Sequence, residues 1–82
     1  MKQISYTRAA IKALSRMPST TAKRIRSKIE QYANDPKSLA SNVTALKGRN
    51  GIRLRVGNWR VIMEDGVVLA VLEIGPRGGI YE

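Results

Sequence analysis

Residues 52–74 read IRLRVGNWRVIMEDGVVLAVLEI, and no other part of the chain is so fully patterned. Ile52 to Val56 alternates strictly between apolar side chains and arginine, Gly57-Asn58 is a turn signal, and Trp59 to Glu64 is a second run. Asp65-Gly66 is a strong hairpin turn, and Val67 to Ile74 is a third run. Three runs joined by two short turns predict an antiparallel meander. The third is apolar on both faces apart from Glu73, as expected of a central strand. Two-residue turns would set Val56 opposite Trp59 and Glu64 opposite Val67, and this register assigns every side chain to a face. One face then collects Ile52, Leu54, Val56, Trp59, Val61, Met63, Val68, Ala70, Leu72 and Ile74. The other carries Arg53, Arg55 and Arg60 together with Ile62, Val67, Leu69 and Val71.

Upstream of the meander the period changes. Lys2 to Tyr6 alternates and predicts a short first strand, with Thr7 as the N-cap of the helix that follows. Ala10, Ile11, Leu14 and Met17 fall on one helical face, opposite Arg8, Lys12 and Arg16, and Pro18 ends that helix. A second helix begins near Ser19 or Thr20, carries Ala22, Ile25, Ile29 and Tyr32 as its stripe, and stops at Pro36. Two amphipathic helices in a hairpin need an apolar surface to cover, and the sheet supplies it. Lys37 to Gly51 has turn formers and no sustained period, so it reads as a connecting loop with Leu46 as an anchor. The fold expected is α+β, in the order βααβββ, one domain over residues 1–82 with both helices on one face of the sheet.

Composition narrows the chemistry. The chain has 82 residues, and a domain of that size buries only roughly 60% of the surface of its unfolded chain, so its stability is modest. It contains neither cysteine nor histidine, which leaves acid–base work to Arg, Lys, Tyr, Glu or Asp and makes a metal site unexpected. The longest apolar stretch, Val67 to Leu72, is far short of a membrane span, and the first residues lack a signal-peptide core. The protein is therefore expected in the cytoplasm. Fifteen Lys and Arg against six Asp and Glu give a net charge of +9, the footprint of a polyanion binder. No acidic residue precedes Glu30 and none lies between Asp35 and Glu64, so the charge forms two basic zones.

One of those zones coincides with the meander. Arg55 would lie directly opposite Arg60, a like-charge pair that costs stability in an isolated sheet. Three guanidiniums on one patch gain nothing structurally, whereas a bound phosphate offsets their repulsion through bidentate, charge-assisted hydrogen bonds. The apolar residues on the same face, Ile62, Leu69 and Val71 among them, need a cover from the tail or from a partner chain. Trp59 could stack on a base, as aromatics do in RNA binders, but its register directs it to the helix side as a packing residue.

The order βααβββ, with RLRVGNWRVI at residues 53–62 and IGPRGGIY at residues 74–81, resembles the RelE/ParE superfamily of bacterial toxins along the whole chain. The resemblance to its RelE branch implies a metal-independent endoribonuclease that cuts messenger RNA on the ribosome, needs no cofactor and is silenced by a cognate antitoxin. Arg60 would stabilise charge on the scissile phosphate, Arg77 would assist departure of the 5′ oxygen, and Tyr81 would stack on the base or help activate the 2′-hydroxyl. Arg53 and Arg55 stand where the best-known branch has lysines. A guanidinium keeps its proton, so both can hold phosphate but neither is a good general base. That leaves Tyr81 first, then Glu73 or Glu64. Lys23, Arg24, Arg26, Lys28, Lys47 and Arg49 would hold ribosomal and messenger phosphates without reading sequence. The ParE branch of the superfamily, whose target is DNA gyrase, and a non-enzymatic nucleic-acid-binding module are the alternatives.

Overall fold

The computed structural model describes residues 2–48 and 50–76. Its elements are β1 (Ile4–Tyr6), α1 (Arg8–Ser15), α2 (Ser19–Asn34), a 3₁₀ helix (Pro36–Asn42), β2 (Val43–Ala45), β3 (Ile52–Val56), β4 (Trp59–Asp65) and β5 (Leu69–Pro76). Thr7 turns the chain from strand to helix as expected. Its hydroxyl accepts from the Ala10 amide at 3.1 Å and donates to the Leu72 carbonyl at 2.6 Å, so one side chain caps α1 and ties it to the sheet. α1 ends at Ser15, two residues before the expected Met17, because the residue preceding a proline is driven out of helical geometry. Met17 is nevertheless buried beneath the turn.

The five strands form one sheet in the order β1-β5-β4-β3-β2, with β1 parallel to β5 and every other pair antiparallel. The expected meander is present as β3, β4 and β5, and both helices pack on one face. β2 is an addition: Val43, Thr44 and Ala45 pair with Leu54, Arg53 and Ile52 in a segment read from sequence as loop. Three residues are too few to display an alternating period. Leu39 is buried in the core and Val43 packs against it, while the expected anchor Leu46 is only half-buried.

The second hairpin corrects the expected register. Asp65 faces Leu69, so three residues rather than two connect β4 to β5, and a bulge at Ile62/Met63 leaves Leu72 as the extra residue between Glu73 and Val71. A one-residue slip moves side chains to the opposite face. Leu69 and Val71 therefore enter the helix-side core, where both are fully buried, instead of joining the arginine face. Ala70 shares the face of Glu64, and Val67 and Val68 sit exposed at the hairpin tip. A run that is apolar on both sides carries no phase, so its sequence could not reveal the slip. The core joins Ala10 and Leu14 of α1 and Ile25, Ile29 and Tyr32 of α2 to Leu54, Val56, Val61, Met63, Leu69, Val71 and Ile74 of the sheet.

Asp65 fastens α2 to the β4–β5 hairpin. Its carboxylate accepts from the Tyr32 hydroxyl at 3.3 Å and pairs with the Lys2 ammonium. Burial, and then the Asp65 charge and hydrogen bond, raise the pKa of the Tyr32 phenol; burial likewise raises that of Tyr6, against the opposing pull of Arg26. Both phenols hold their protons more tightly when folded than when unfolded. Their contribution is therefore complete below the ordinary tyrosine pKa of about 10 and is lost as pH rises through the folded values. Urea midpoints at pH 8 and in the alkaline arm should differ less for Tyr32→Phe than for the wild type. An equal alkaline loss in both would show that Tyr32 is not coupled to folding.

Candidate phosphate-binding site

The sheet face turned away from the helices is organised in two rows. Thr44, Arg53, Ile62 and Glu73 stand side by side on β2, β3, β4 and β5, and the next row sets Arg55 opposite Arg60 and Arg60 opposite Gly75. Gly75 offers no side chain beside Arg60. Where the rows meet the end of the 3₁₀ helix, Ser41, Asn42, Thr44, Arg53, Arg55 and Arg60 line a pocket of about 80 Å³. The register thus brings together the three arginines that alternation in the sequence had grouped.

Arg60 is the most constrained of the three. It is 8% exposed, and its Nη1 donates to the carbonyls of Trp59 at 3.2 Å and Gly57 at 3.5 Å, which bends the guanidinium back over the β3–β4 turn. Among the described residues neither Arg55 nor Arg60 forms an ion pair. Two carbonyl dipoles satisfy some of the Arg60 donors but cannot neutralise a buried cation, and the exposed guanidinium of Arg55 across the ladder adds repulsion. An anion in the pocket relieves both terms at once.

The remaining expected residues are dispersed. Arg49, Arg77 and Tyr81 lie outside the described residues. On α2, Arg26 stacks over the Tyr6 ring, 5.7 Å from its centroid, and the Lys28 ammonium donates to Gln31 at 3.4 Å, so both have partners within the protein. Lys23 is exposed on α2 and Lys47 is exposed in the turn after β2. Arg24 packs against Gly57. The apolar patch expected on the arginine face shrinks to Ile62, which is fully buried, because Leu69 and Val71 belong to the core on the other side. Trp59 packs against that core, as its register required. Glu64 and Glu73 are exposed on the arginine face. Ser41, Asn42 and Thr44 were missed, since nothing in their local sequence announces a strand that would carry Thr44 to the flank of Arg53.

A basic α+β fold with a cation-lined pocket on its open sheet face defines a class of protein, and comparison with known proteins gives the family. The family model for the ParE toxin of type II toxin–antitoxin systems, parDE, matches residues 4–81. No curated protein matches the chain. Among solved structures, the archaeal RelE–RelB complex from Pyrococcus horikoshii OT3 aligns with a TM-score of 0.79 at 23% identity, over 96% of this chain and 98% of that one. The RelB–RelE antitoxin–toxin complex from Methanococcus jannaschii aligns with a TM-score of 0.73 at 27% identity, over 95% of each chain. The isolated E. coli RelE toxin aligns with a TM-score of 0.78 at 16% identity, over 98% of this chain and 88% of that one. The chain belongs to the ParE toxin family, within the RelE/ParE superfamily, and is a toxin of a type II toxin–antitoxin system. Among the described residues no helix is long and apolar enough to cross a membrane.

Proposed function

We propose that this toxin is an endoribonuclease that cuts messenger RNA on the ribosome, stops translation, and is held inactive in the cytoplasm by a cognate antitoxin. The observation that carries the reading is the pocket at Arg53, Arg55 and Arg60, in which a buried guanidinium faces a second cation and, among the described residues, neither Arg55 nor Arg60 forms an ion pair. In the reaction, the RNA 2′-oxygen attacks the adjacent phosphorus, the bond from phosphorus to the 5′ oxygen breaks, and a 2′,3′-cyclic phosphate is left. The 2′-hydroxyl proton passes to a base, for which Tyr81, Glu73 and Glu64 are the candidates, and the departing 5′ oxygen takes up a proton with help from Arg77. Arg60, Arg55 and Arg53 stabilise the charge that grows on the phosphate oxygens, the interaction that is often the largest in catalysis.

The antitoxin is proposed from the RelE–RelB complexes among the structural neighbours and from the charge of +9, which an acidic or amphipathic partner would complement. A second reading, inhibition of DNA gyrase without RNA cleavage, is favoured by the ParE character of the family model. Primer extension on ribosomes translating a reporter message separates the two. Codon-positioned cuts that appear with the toxin and vanish when its antitoxin is added are expected; an intact message beside inhibited gyrase supercoiling would replace the nuclease reading with the second.

A further inference from the structure

We propose that the neutral wall of the phosphate pocket, with Thr44 as its principal contact, holds the ribose 2′-hydroxyl beside the scissile phosphate, so that the toxin selects its substrate by the sugar and not by the base; this rests on the RNA-cutting reading. The pocket has two chemically distinct sides. Arg53, Arg55 and Arg60 supply the cations, whereas Ser41, Asn42 and Thr44 supply hydroxyls and an amide without charge. Strand pairing fixes the side on which Thr44 stands: Val43 faces Leu54 and packs against the core, so Thr44, opposite Arg53, projects from the arginine face. The end of the 3₁₀ helix sets the rest of the wall just before it. There the Ser41 hydroxyl donates to Oδ1 of Asn42 at 3.4 Å, which leaves the Asn42 amide nitrogen as a donor. Thr44 is exposed, and among the described residues its hydroxyl has no hydrogen-bond partner.

This division of the pocket matches the division of a ribonucleotide. A phosphodiester is an anion, for which guanidiniums are stronger partners than neutral hydroxyls are. The group beside the 3′ phosphate is neutral. It is the 2′-hydroxyl on the adjoining ribose carbon, which donates and accepts as the threonine hydroxyl does. A phosphate seated at the arginines has that hydroxyl within reach of the facing wall, and DNA has nothing to put there. The base is excluded on two grounds. At about 80 Å³ the pocket is far below the roughly 300–1,000 Å³ of sites that enclose a whole small molecule, and no aromatic side chain lines it. It therefore takes the phosphate and the sugar atoms next to it, and gives the base neither room nor a surface on which to stack.

The test is an NMR titration of the full-length toxin with adenosine and uridine 3′-monophosphates and with their 2′-deoxy counterparts. Each ligand carries the phosphate with or without the 2′-hydroxyl and has no 5′-linked nucleotide to release. The wild type is expected to prefer ribose to deoxyribose about five-fold, the contribution of one neutral hydrogen bond, and to do so equally for either base. Thr44→Val keeps the branched shape and strand propensity of the residue but removes the hydroxyl, and should abolish the preference; Thr44→Ser, which retains a hydroxyl, should keep it. Arg60→Ala should weaken ribose and deoxyribose ligands alike. A purely structural role for Thr44 would lower both sugars together in Thr44→Val and leave their ratio at the wild-type value. That result, or equal binding of both sugars by the wild type, would overturn the ribose contact, and with Arg60→Ala still weakening both ligands the nuclease reading would stand. A preference for one base as large as that for ribose would overturn selection by the sugar. If Arg60→Ala binds both ligands like the wild type, the reading on which the contact rests fails as well.

Discussion

Replacing Arg60 by alanine is expected to lower messenger cleavage by about 10²–10³-fold, the loss typical when one preorganised donor to a developing oxyanion is removed. Growth arrest should disappear with it. The size of the effect follows from where the guanidinium sits. Arg60 is buried, its orientation is fixed by the Trp59 and Gly57 carbonyls, and it carries no counter-ion among the described residues, so little has to reorganise when negative charge grows in front of it. Arg55 is exposed and shares its charge with water, so Arg55→Ala should cost less. Arg60→Lys keeps the charge but offers a point donor in place of a planar fork, and should recover only part of the rate. Folding gives the control. The substitution loses the packing of a buried aliphatic stem and two carbonyl hydrogen bonds, but it also removes the like-charge pair across the ladder, so stability should change by about 1 kcal/mol at most. A folded Arg60→Ala protein that still cuts at the wild-type rate would remove Arg60 from the mechanism.

The same residues explain what a sequence of this kind makes legible. The strict alternation of Ile52 to Val56 and the turn at Gly57-Asn58 predict that Arg55 faces Arg60 and that Trp59 faces Val56, and both pairings are present. Period 2 with a short turn leaves one register that buries an apolar face. The next hairpin has no such constraint, because Val67 to Leu72 is apolar at every position and any phase buries something. The bulge at Leu72 and a three-residue connection decide the outcome, and neither has a signature in side-chain chemistry. β2 is illegible for a different reason. Val43 to Ala45 becomes a strand only because β3 offers a free edge, so the information resides in the partner. This propagates to the site: the arginines were grouped correctly, but the wall formed by Ser41, Asn42 and Thr44 depends on β2 and was out of reach. On α2, composition marked four cations as equivalent. Packing distinguishes them, since Arg26 finds Tyr6, Lys28 finds Gln31 and Arg24 finds Gly57.

Ile29→Ala should destabilise the protein by about 3 kcal/mol, within the usual range for truncating a fully buried isoleucine. Three carbons leave the interface between α2 and the sheet, and the lost transfer free energy of about 0.8 kcal/mol for each is augmented by the cavity that remains. The gain in helix propensity offsets only a few tenths of a kcal/mol. No backbone ladder joins α2 to the strands, so side-chain packing by Ile25, Ile29 and Tyr32 is what holds the helix in place. A chain of this size has a total stability of roughly 4–12 kcal/mol, so one substitution removes a large share, and the melting temperature should fall by about 12–24 °C. Ile29→Leu, which conserves volume, should cost less than about 1.5 kcal/mol. The site lies on the other face of the sheet, so cleavage per folded molecule should stay near the wild-type value, the opposite of the Arg60→Ala result. A bound antitoxin would mask much of the defect, because a ligand of the folded state present at about 1,000 times its dissociation constant adds about 4 kcal/mol. Melting curves recorded with and without antitoxin therefore read the packing and the partner separately. If the free Ile29→Ala protein melts within a few degrees of the wild type, α2 is not held on the sheet by its apolar stripe.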